Sequence, residues 1–276
     1  MKNIVITGGT SGIGLALARA CRDRGDNVLI VAPDPAKGAR FIEESEKKEA
    51  GKRVFFIAAD LSLVSENERV LREVGEIFPT VDALVLCARF FRSYRRVTAE
   101  GFEHQFALYY LSRFLLSHGL VGPMQKAGTS AVVNVAGPGI SAGRVHWDDV
   151  ELTRGYDGWE AMFQGGKLND LLGVAWAAAH GDRGIRYVLQ FPGGTRTGLA
   201  GEFDPETAAQ VEEMKKGATK SAEESIIPIV AVIDGPPAEP LTALWEDRFI
   251  GLDGWSFDPA AATRLHRITE DLLARR

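Results

Sequence analysis

The residues with the clearest chemical potential form a glycine-rich string near the start of the chain, Thr7-Gly8-Gly9-Thr10-Ser11-Gly12-Ile13-Gly14. Gly8, Gly12 and Gly14 allow a tight turn and a close approach of the backbone to a pyrophosphate. The helix expected to follow presents unpaired N–H groups and the positive end of its dipole to the same anion. Because the string stands between a first predicted strand and a first predicted helix, it indicates a dinucleotide site; a tight turn without a ligand is the alternative.

The same string resembles the Thr-Gly-x-x-x-Gly-x-Gly signature of the short-chain dehydrogenase/reductase family. Two further segments carry the resemblance: Asp60-Leu61 after the third predicted strand, and Pro192-Gly193-Gly194-Thr195-Arg196-Thr197 after the sixth. The segments His146-Trp147-Asp148-Asp149-Val150 and Phe163-Gln164-Gly165-Gly166-Lys167-Leu168 are most similar to the retinol-dehydrogenase-like branch. The resemblance covers nearly the whole chain, and it implies an NAD(P)(H) cofactor and a small-molecule substrate.

The resemblance also implies which residues contact the cofactor. They are Thr7, Gly8, Thr10, Ser11, Gly12, Ile13, Gly14, Asp34, Asp60, Leu61, Cys87, Ala88, Arg89, Lys167, Pro192, Gly193, Thr195 and Thr197. In the family an acidic residue at the end of the second strand favours NAD(H); Ala32 stands there, so the sequence favours NADP(H) over NAD(H). Asp34, just beyond, either binds the ribose or caps the next helix. A further alternative is that cofactor binding has been lost.

The proton donor of the family is missing. In the family a Tyr passes a proton to the substrate carbonyl, and a Lys four residues later holds the nicotinamide ribose and lowers the pKa of that Tyr. Here Lys167 matches the Lys, but Phe163 stands at the Tyr position and has no proton to donate. Tyr156 is eleven residues before Lys167 and cannot share its helical face closely.

Two further catalytic positions are changed. The family's Ser, which holds the substrate carbonyl, corresponds to Gly137; Ser141 is either a substitute or an ordinary loop serine. The family's Asn in the fourth long helix corresponds to Tyr109, which is either a replacement acid or a ring that fills space. The candidate catalytic positions are therefore Lys167, Tyr109, Phe163, Gly137 and Ser141.

The segment after the fourth predicted strand also departs from the family, because Leu86-Cys87-Ala88-Arg89 replaces Asn-Asn-Ala-Gly. The long Arg89 side chain either collides with the nicotinamide ribose or swings out and binds an anion. Cys87 is a candidate nucleophile by type, but a cysteine at the end of a strand is usually a packing residue.

The elements that must position these residues alternate along the chain, as in repeated βαβ units. Continuous Val, Ile, Leu and Phe runs predict strands buried on both faces of a parallel sheet at Asn3–Thr7, Asn27–Ala32, Arg53–Ala58, Asp82–Leu86, Ser130–Val135 and Ile185–Gln190, with a last strand that includes Phe249–Ile250. Helices are predicted at Gly12–Arg24, Pro35–Ala50, Ser62–Phe78, Thr98–Ser117, Tyr156–His180, Asp204–Gly217, Ala222–Ile233 and Pro259–Leu273. Asp60-Leu61-Ser62 is a predicted N-cap and Gly25 a predicted C-cap.

These elements predict an α/β fold, a Rossmann-type doubly wound parallel sheet in three layers. We expect a single domain over residues 1–276, with a substrate-covering segment at about 193–220.

Composition sets the expected environment. The 276 residues are 45% hydrophobic, and their formal net charge is −5 without a basic run, which argues against a nucleic-acid or anionic membrane surface. No apolar run reaches the roughly 18 to 20 residues that span a bilayer. Because strand-like residues begin at Asn3, no signal peptide is expected. Cys21 and Cys87 in apolar surroundings predict a reducing cytoplasm rather than disulfides, and no metal site is predicted.

Three functions remain open. The first is an enzyme that binds NAD(P)(H) and acts on a small organic substrate by non-standard chemistry: redox without the Tyr acid, cyclisation, isomerisation or a lyase reaction. The second is a catalytically inactive subunit or binding protein that partners an active homologue. The helix carrying Lys167 is apolar on more than one side, which predicts a homo-oligomer through that helix. The third, an ordinary reductase, conflicts with the alignment at Lys167 and Pro192-Gly193.

Overall fold

A sheet of eight strands organises the molecule in a computed structural model that describes residues 1–197 and 199–275. Seven strands run parallel in the order β3-β2-β1-β4-β6-β7-β9, and β10 pairs antiparallel with β9 at one edge. These strands are β1 (Asn3–Thr7), β2 (Asn27–Ala32), β3 (Val54–Ala58), β4 (Ala83–Leu86), β6 (Ser130–Val135), β7 (Ile185–Phe191), β9 (Leu241–Trp245) and β10 (Arg248–Phe249). Two short strands, β5 (Phe91–Arg92) and β8 (Gly201–Glu202), pair with each other outside it. Gly198, in the predicted covering segment, and Arg276, at the end of the predicted domain, lie outside the described residues.

Helices cover both faces of the sheet, so the molecule has three layers. One core packs strand residues such as Ile4 and Ile6 against α1 (Gly12–Asp23), α2 (Pro35–Lys47), α9 (Ala222–Ser225) and α10 (Ile227–Asp234). The other packs residues such as Val5 against α3 (Val64–Ile77), α5 (Ser112–Gly119), α6 (Val121–Lys126), α7 (Gly158–His180) and α11 (Pro259–Ala274). Alternate residues of one strand point to opposite faces, and both faces are apolar here. The predicted doubly wound α/β fold is therefore confirmed.

Two predicted helix starts were wrong. Asp60-Leu61-Ser62 does not cap α3, because Asp60 accepts the backbone N–H and the hydroxyl of Ser62 in a local turn. The Glu100 carboxylate, from a distant loop, accepts the first N–H groups of α3 instead. The helix predicted from Thr98 begins at His104, as α4 (His104–Phe106), and passes through a π-helical turn (Ala107–Leu111) into α5. The predicted C-cap is confirmed, since Gly25 follows α1 with a φ of +100°.

The last parallel strand was missed by the sequence pattern. It is β9, in which Thr242 interrupts the apolar run and no Val or Ile is present to mark a strand. The predicted strand at Phe249–Ile250 is instead β10, Arg248–Phe249, a short exposed partner of β9.

The helix that carries Lys167 is buried within its own chain. Leu168, Leu171 and Trp176 of α7 are at most 2% exposed. Helix α11 packs along α7 and buries Ala262 and Leu265 in the same core. The apolar sides of α7 therefore need no second subunit to cover them, and a homo-oligomer through this helix stays a prediction.

The described residues contain neither a candidate membrane span nor a candidate metal site. In residues 1–197 and 199–275, no helix is long and apolar enough to cross a bilayer. The same ranges hold no group of three or more His, Cys, Asp or Glu side chains placed to bind a metal ion.

Candidate active site

A cavity of about 600 Å³ lies beyond the carboxyl ends of β1, β4, β6 and β7. The strand order changes direction between β1 and β4, the point at which doubly wound sheets bind their ligands. The cavity connects the glycine-rich string to the predicted reaction centre. From the predicted cofactor set it is lined by Gly8, Ser11, Gly12, Ile13, Gly14, Cys87, Arg89, Lys167, Pro192, Gly193, Thr195 and Thr197.

The glycine-rich string has the geometry of an anion cradle. Gly8 has a φ of +69°, and a Cβ there would lie 2.9 Å from the backbone N of Ala88. A Cβ on Gly14 would lie 2.4 Å from the carbonyl oxygen of Gly8, so side chains at both positions are excluded. Ser11 is the N-cap residue of α1, yet its side chain makes no capping hydrogen bond. The first turn of α1 therefore presents its N–H groups to the cavity, as a pyrophosphate requires.

Six residues of the predicted cofactor set do not line the cavity: Thr7, Thr10, Asp34, Asp60, Leu61 and Ala88. Thr7 and Ala88 brace the wall, since the Ala88 N–H donates to the Thr7 hydroxyl at 3.2 Å. Leu61 is a core residue, 3% exposed. Asp34 caps α2 by accepting the N–H groups of Ala36 and Lys37, which holds the pKa of its carboxyl below the usual value. The capping interpretation of Asp34 is thus the one the structure shows.

Lys167 is held by the chain itself. Its ammonium donates to the carbonyl of Ile140 and, at 2.9 Å, to the hydroxyl of Ser256. It also lies 4.2 Å from the ring centroid of Trp255. Burial lowers the pKa of Lys167 below its ordinary value. The short 3₁₀ turn Trp255–Phe257, after β10, therefore holds the Lys167 ammonium at one wall of the cavity.

A second buried ionisable group stands one turn after Lys167. Burial raises the pKa of the Asp170 carboxyl to about 7. One of its oxygens accepts the Gly139 N–H at 3.0 Å, and the other has no hydrogen-bond partner in the described part of the chain. Ser256 also lies close to Asp170 and lowers its pKa slightly against the effect of burial, so the two ionisable residues share a neighbour. Neither the carboxyl nor Ser256 lines the cavity.

The other predicted catalytic positions divide into two groups. Phe163, Gly137 and Tyr109 all line the cavity, whereas Ser141 is an exposed loop residue away from it. Of the two alternatives for Ser141, the structure agrees with an ordinary loop serine, because the residue is exposed and does not line the cavity. The Phe163 ring stacks on Trp159, with centroids 6.4 Å apart. A Cβ on Gly137 would meet the Cδ1 atom of Ile140 at 2.5 Å.

Tyr109 sits in the π-helical turn, where irregular backbone often accompanies function. Its carbonyl oxygen accepts the side-chain amide of Asn169 at 2.8 Å. The other end of Asn169 accepts the amide of Asn134 at 2.9 Å. This buried chain of amides fixes the turn and occupies the Tyr109 carbonyl oxygen.

Two arginines flank the Tyr109 ring. The guanidinium carbon of Arg113 lies 4.4 Å from the ring centroid, and that of Arg89 lies 5.4 Å from it. Both side chains line the cavity. Arg89 extends along the wall and donates to the sulfur of Met162, so it neither leaves the site nor lies across the glycine-rich string. Sequence reasoning missed Arg113, although its place one helical turn after Tyr109 puts both on one face.

Four other side chains near the site are poorly placed or poorly suited for catalysis: Cys87 lines the cavity, and Tyr110, His146 and Asp148 do not. Burial raises the pKa of Cys87 to about 12, so its thiol stays protonated and is a poor nucleophile. Tyr110 points into the core and bonds Thr269 at 2.6 Å. His146 pairs with Glu160 at 2.6 Å, and Asp148 lies on the surface, 3.8 Å from Arg264.

The predicted substrate-covering segment does border the cavity. Helix α8 (Pro205–Lys216) and the residues around it contribute Leu199, Ala200, Met214, Lys215, Gly217 and Ala218 to the lining. Lys220 anchors the end of the segment through an ion pair with Glu246 at 2.8 Å. Apolar side chains thus dominate the wall opposite the glycine-rich string.

Comparisons with known proteins agree with this geometry. A family model described as short chain dehydrogenase matches residues 2–147. A short-chain dehydrogenase/reductase of Penicillium rubens is 30% identical over 215 residues, 76% of this chain and 62% of its own length. Retinol dehydrogenase 13 of Mus musculus is 28% identical over 149 residues, 54% of this chain and 45% of its own length. The chain thus spans less than two thirds of either relative.

The fold is also that of a solved structure. A short-chain dehydrogenase from Sphingobium yanoikuyae, determined in complex with NADPH, has a TM-score of 0.63 and 20% sequence identity, and the match covers 99% of this chain and 96% of that one. At this identity the likeness concerns the fold.

Proposed function

Because the chain belongs to the short-chain dehydrogenase family, we propose that it binds NAD(P)(H) and transforms a small organic substrate without a Tyr proton donor. The observation that best supports this proposal is that one cavity connects the anion cradle to Tyr109 and Phe163. A bound nicotinamide supplies hydride donation or acceptance. The rest of the chemistry depends on the side chains around it.

The residues of the cradle are suited to hold the pyrophosphate. Gly8 and Gly14 leave room for the backbone approach, and the first N–H groups of α1 face the cavity. Thr197 packs against Gly12, and Thr195, whose hydroxyl bonds Gly193 and Ser225, lines the same end of the cavity. The site therefore fits a dinucleotide by shape and by the donors it presents.

The reaction centre favours substrates that need no strong acid. Phe163 cannot protonate a developing alkoxide, and Gly137 offers no hydroxyl to a carbonyl. An iminium or a conjugated acceptor takes a hydride without that proton. Tyr109 is the phenol that lines the cavity, and it is our candidate for a replacement donor. Cyclisation, isomerisation and lyase chemistry stay open in the same cavity.

A second candidate is a catalytically inactive binding protein. The observation that favours it is the engagement of Lys167 by Ile140 and Ser256, which occupies the ammonium that should hold the nicotinamide ribose. Such a protein would act through a partner, as a homo-oligomer or beside an active homologue. The two free cysteines still favour a cytoplasmic location for either function.

Calorimetric titration of the full chain with NADPH and with NADH tests the proposal. We expect saturable binding of NADPH, and weaker binding of NADH because no acidic side chain stands at Ala32. Absence of binding of both at millimolar concentration would exclude the redox function. A substrate screen that follows NADPH oxidation then separates the enzyme from the binding protein.

A further inference from the structure

The cavity is lined by cations without matching acids. Among the described residues, its charged side chains are Arg89, Arg113, Lys167 and Lys215, and none is Asp or Glu. Lys215 is paired with Glu212 at 2.7 Å. Lys167 donates to neutral oxygens, with Asp170 nearby behind the wall. The two arginines therefore form the part of the lining where positive charge is least compensated.

Arg113 is a buried cation with neutral partners. It is 2% exposed, and it donates to the Asn134 side-chain oxygen, to the Val135 carbonyl at 2.9 Å and to the Ala88 carbonyl at 3.3 Å. Its Nε has no hydrogen-bond partner in the described part of the chain. A buried guanidinium is costly unless an anion accompanies it, so the arrangement indicates a missing negative group.

Arg89 also lies against the Tyr109 ring, with its guanidinium carbon 5.4 Å from the ring centroid. It is largely exposed, and it contacts Met162 and the ring. No carboxylate lies within ion-pairing distance of Arg89 or Arg113 in residues 1–197 and 199–275. Two planar guanidinium groups near one aromatic ring are suited to a carboxylate, which they bind through paired hydrogen bonds.

We propose that Arg89 and Arg113 bind the carboxylate of an anionic organic substrate beside Tyr109. The proposal rests on the proposed function and names its substrate class. The cofactor's pyrophosphate already has the anion cradle at Gly8–Gly14, so the arginines are left for a second anion. Their neighbours Met162 and Phe163, with Ile140 across the cavity, provide an apolar surface for the rest of the substrate.

The test compares carboxylates with their neutral amides. Benzoate, hydrocinnamate and hexanoate, and the corresponding amides, are titrated into the full chain by calorimetry, with and without saturating NADPH. Arg89→Gln is the main variant because its side chain is exposed, and Arg72→Gln, on the surface of α3, is the matched control. Arg113→Met is a second variant that removes the buried charge.

We expect at least one carboxylate to bind about tenfold or more tightly than its amide, also in the presence of NADPH. Arg89→Gln should abolish that preference, and Arg72→Gln should keep both the preference and the NADPH affinity of the wild type. Equal binding of every acid and amide would overturn the proposal, even if Arg113→Met fails to fold.

Two further outcomes separate the sources of the anion. If NADPH displaces the carboxylate and Arg89→Gln weakens NADPH binding, the arginines serve the cofactor phosphates, and the proposal is wrong. A different result would be that NADPH does not bind, while the wild type still prefers the carboxylate over its amide and Arg89→Gln loses that preference. The anion site would then be supported, and the proposed cofactor function would be wrong.

Discussion

At the scale of single residues, the reaction centre lacks two hydroxyl groups that the family resemblance implies. Phe163 and Gly137 both line the cavity, at the positions where the resemblance implies a Tyr and a Ser. Helix α7 is unbroken at Phe163, and β6 is a regular strand that ends shortly before Gly137. The changed chemistry that we propose would therefore depend on side chains and not on a changed frame.

Restoring the two hydroxyl groups should create carbonyl reduction. We predict that Phe163→Tyr with Gly137→Ser raises NADPH-dependent reduction of small aldehydes by roughly 10² to 10⁴-fold, the usual contribution of a positioned proton donor. The Cβ at position 137 needs the space of the Ile140 Cδ1 atom, so Ile140→Val is included. Steady-state NADPH oxidation measures the gain, and Ile140→Val alone is the control.

Continued inactivity of this triple variant, with NADPH bound, would contradict the claim that the hydroxyl groups alone are lacking. It would indicate instead that Lys167 stays with Ile140 and Ser256 when a cofactor is present.

Asp170 should make stability depend on pH. Burial raises the pKa of its carboxyl to about 7, above the value near 4 of an unfolded chain. Between those pH values the folded state holds more protons, so the contribution of Asp170 to stability falls as pH rises. We predict that the free energy of unfolding of Asp170→Asn, relative to wild type, increases from about pH 5 to about pH 8. Urea denaturation at several pH values measures it, and a flat difference would argue against the raised pKa.

At the scale of elements, the contact between α7 and α11 positions Lys167. Leu265 of α11 is 1% exposed in the core that it shares with α7. Leu265→Ala should therefore lower the free energy of unfolding by about 2 to 5 kcal/mol, the usual cost of a cavity in a core. Arg267→Ala, on the exposed side of α11, should change it little. Urea unfolding compares them, and equal stability of the two variants would mean that α11 does not hold α7.

The elements also show where the sequence pattern is informative. The parallel strands were predictable because Val, Ile and Leu runs such as that of β2 are buried on both faces. Strand β9 was not predictable, since Thr242 and the small Ala243 give it a weak apolar pattern. Its burial results from the neighbouring strands and helices. The start of α3 was mispredicted for a similar reason, because Glu100 caps it from a loop 35 residues beyond Ser65 in sequence.

In the candidate site too, some features were predictable from local sequence and others depend on long-range packing. The anion cradle follows from local sequence, since glycine spacing alone sets its backbone. Arg113 and the Ser256 contact with Lys167 depend on long-range packing that no local pattern encodes. Family membership and the likeness to the retinol-dehydrogenase-like branch are confirmed by the family model and by similarity to retinol dehydrogenases.

At the scale of the whole molecule, a frame with the fold of the short-chain dehydrogenases carries Phe163 and Gly137 where the resemblance implies a Tyr and a Ser. The sheet brings the cradle after β1 and the residues after β4 and β6 to one edge, and the covering segment closes the other side. The frame is built to bind a dinucleotide whether or not the chemistry of the family survives. Cofactor binding is thus the central claim.

Ser11 offers the most direct test of that claim. Its exposed side chain makes no capping bond, and both Asp and Asn are good N-cap residues, so α1 should tolerate either. Ser11→Asp places a negative charge beside the pyrophosphate, whereas Ser11→Asn does not. Calorimetric titration with NADPH should show binding to wild type and Ser11→Asn, and an affinity about tenfold or more lower for Ser11→Asp. No binding to any of the three, or equal binding to all of them, would contradict a cofactor seated on the anion cradle.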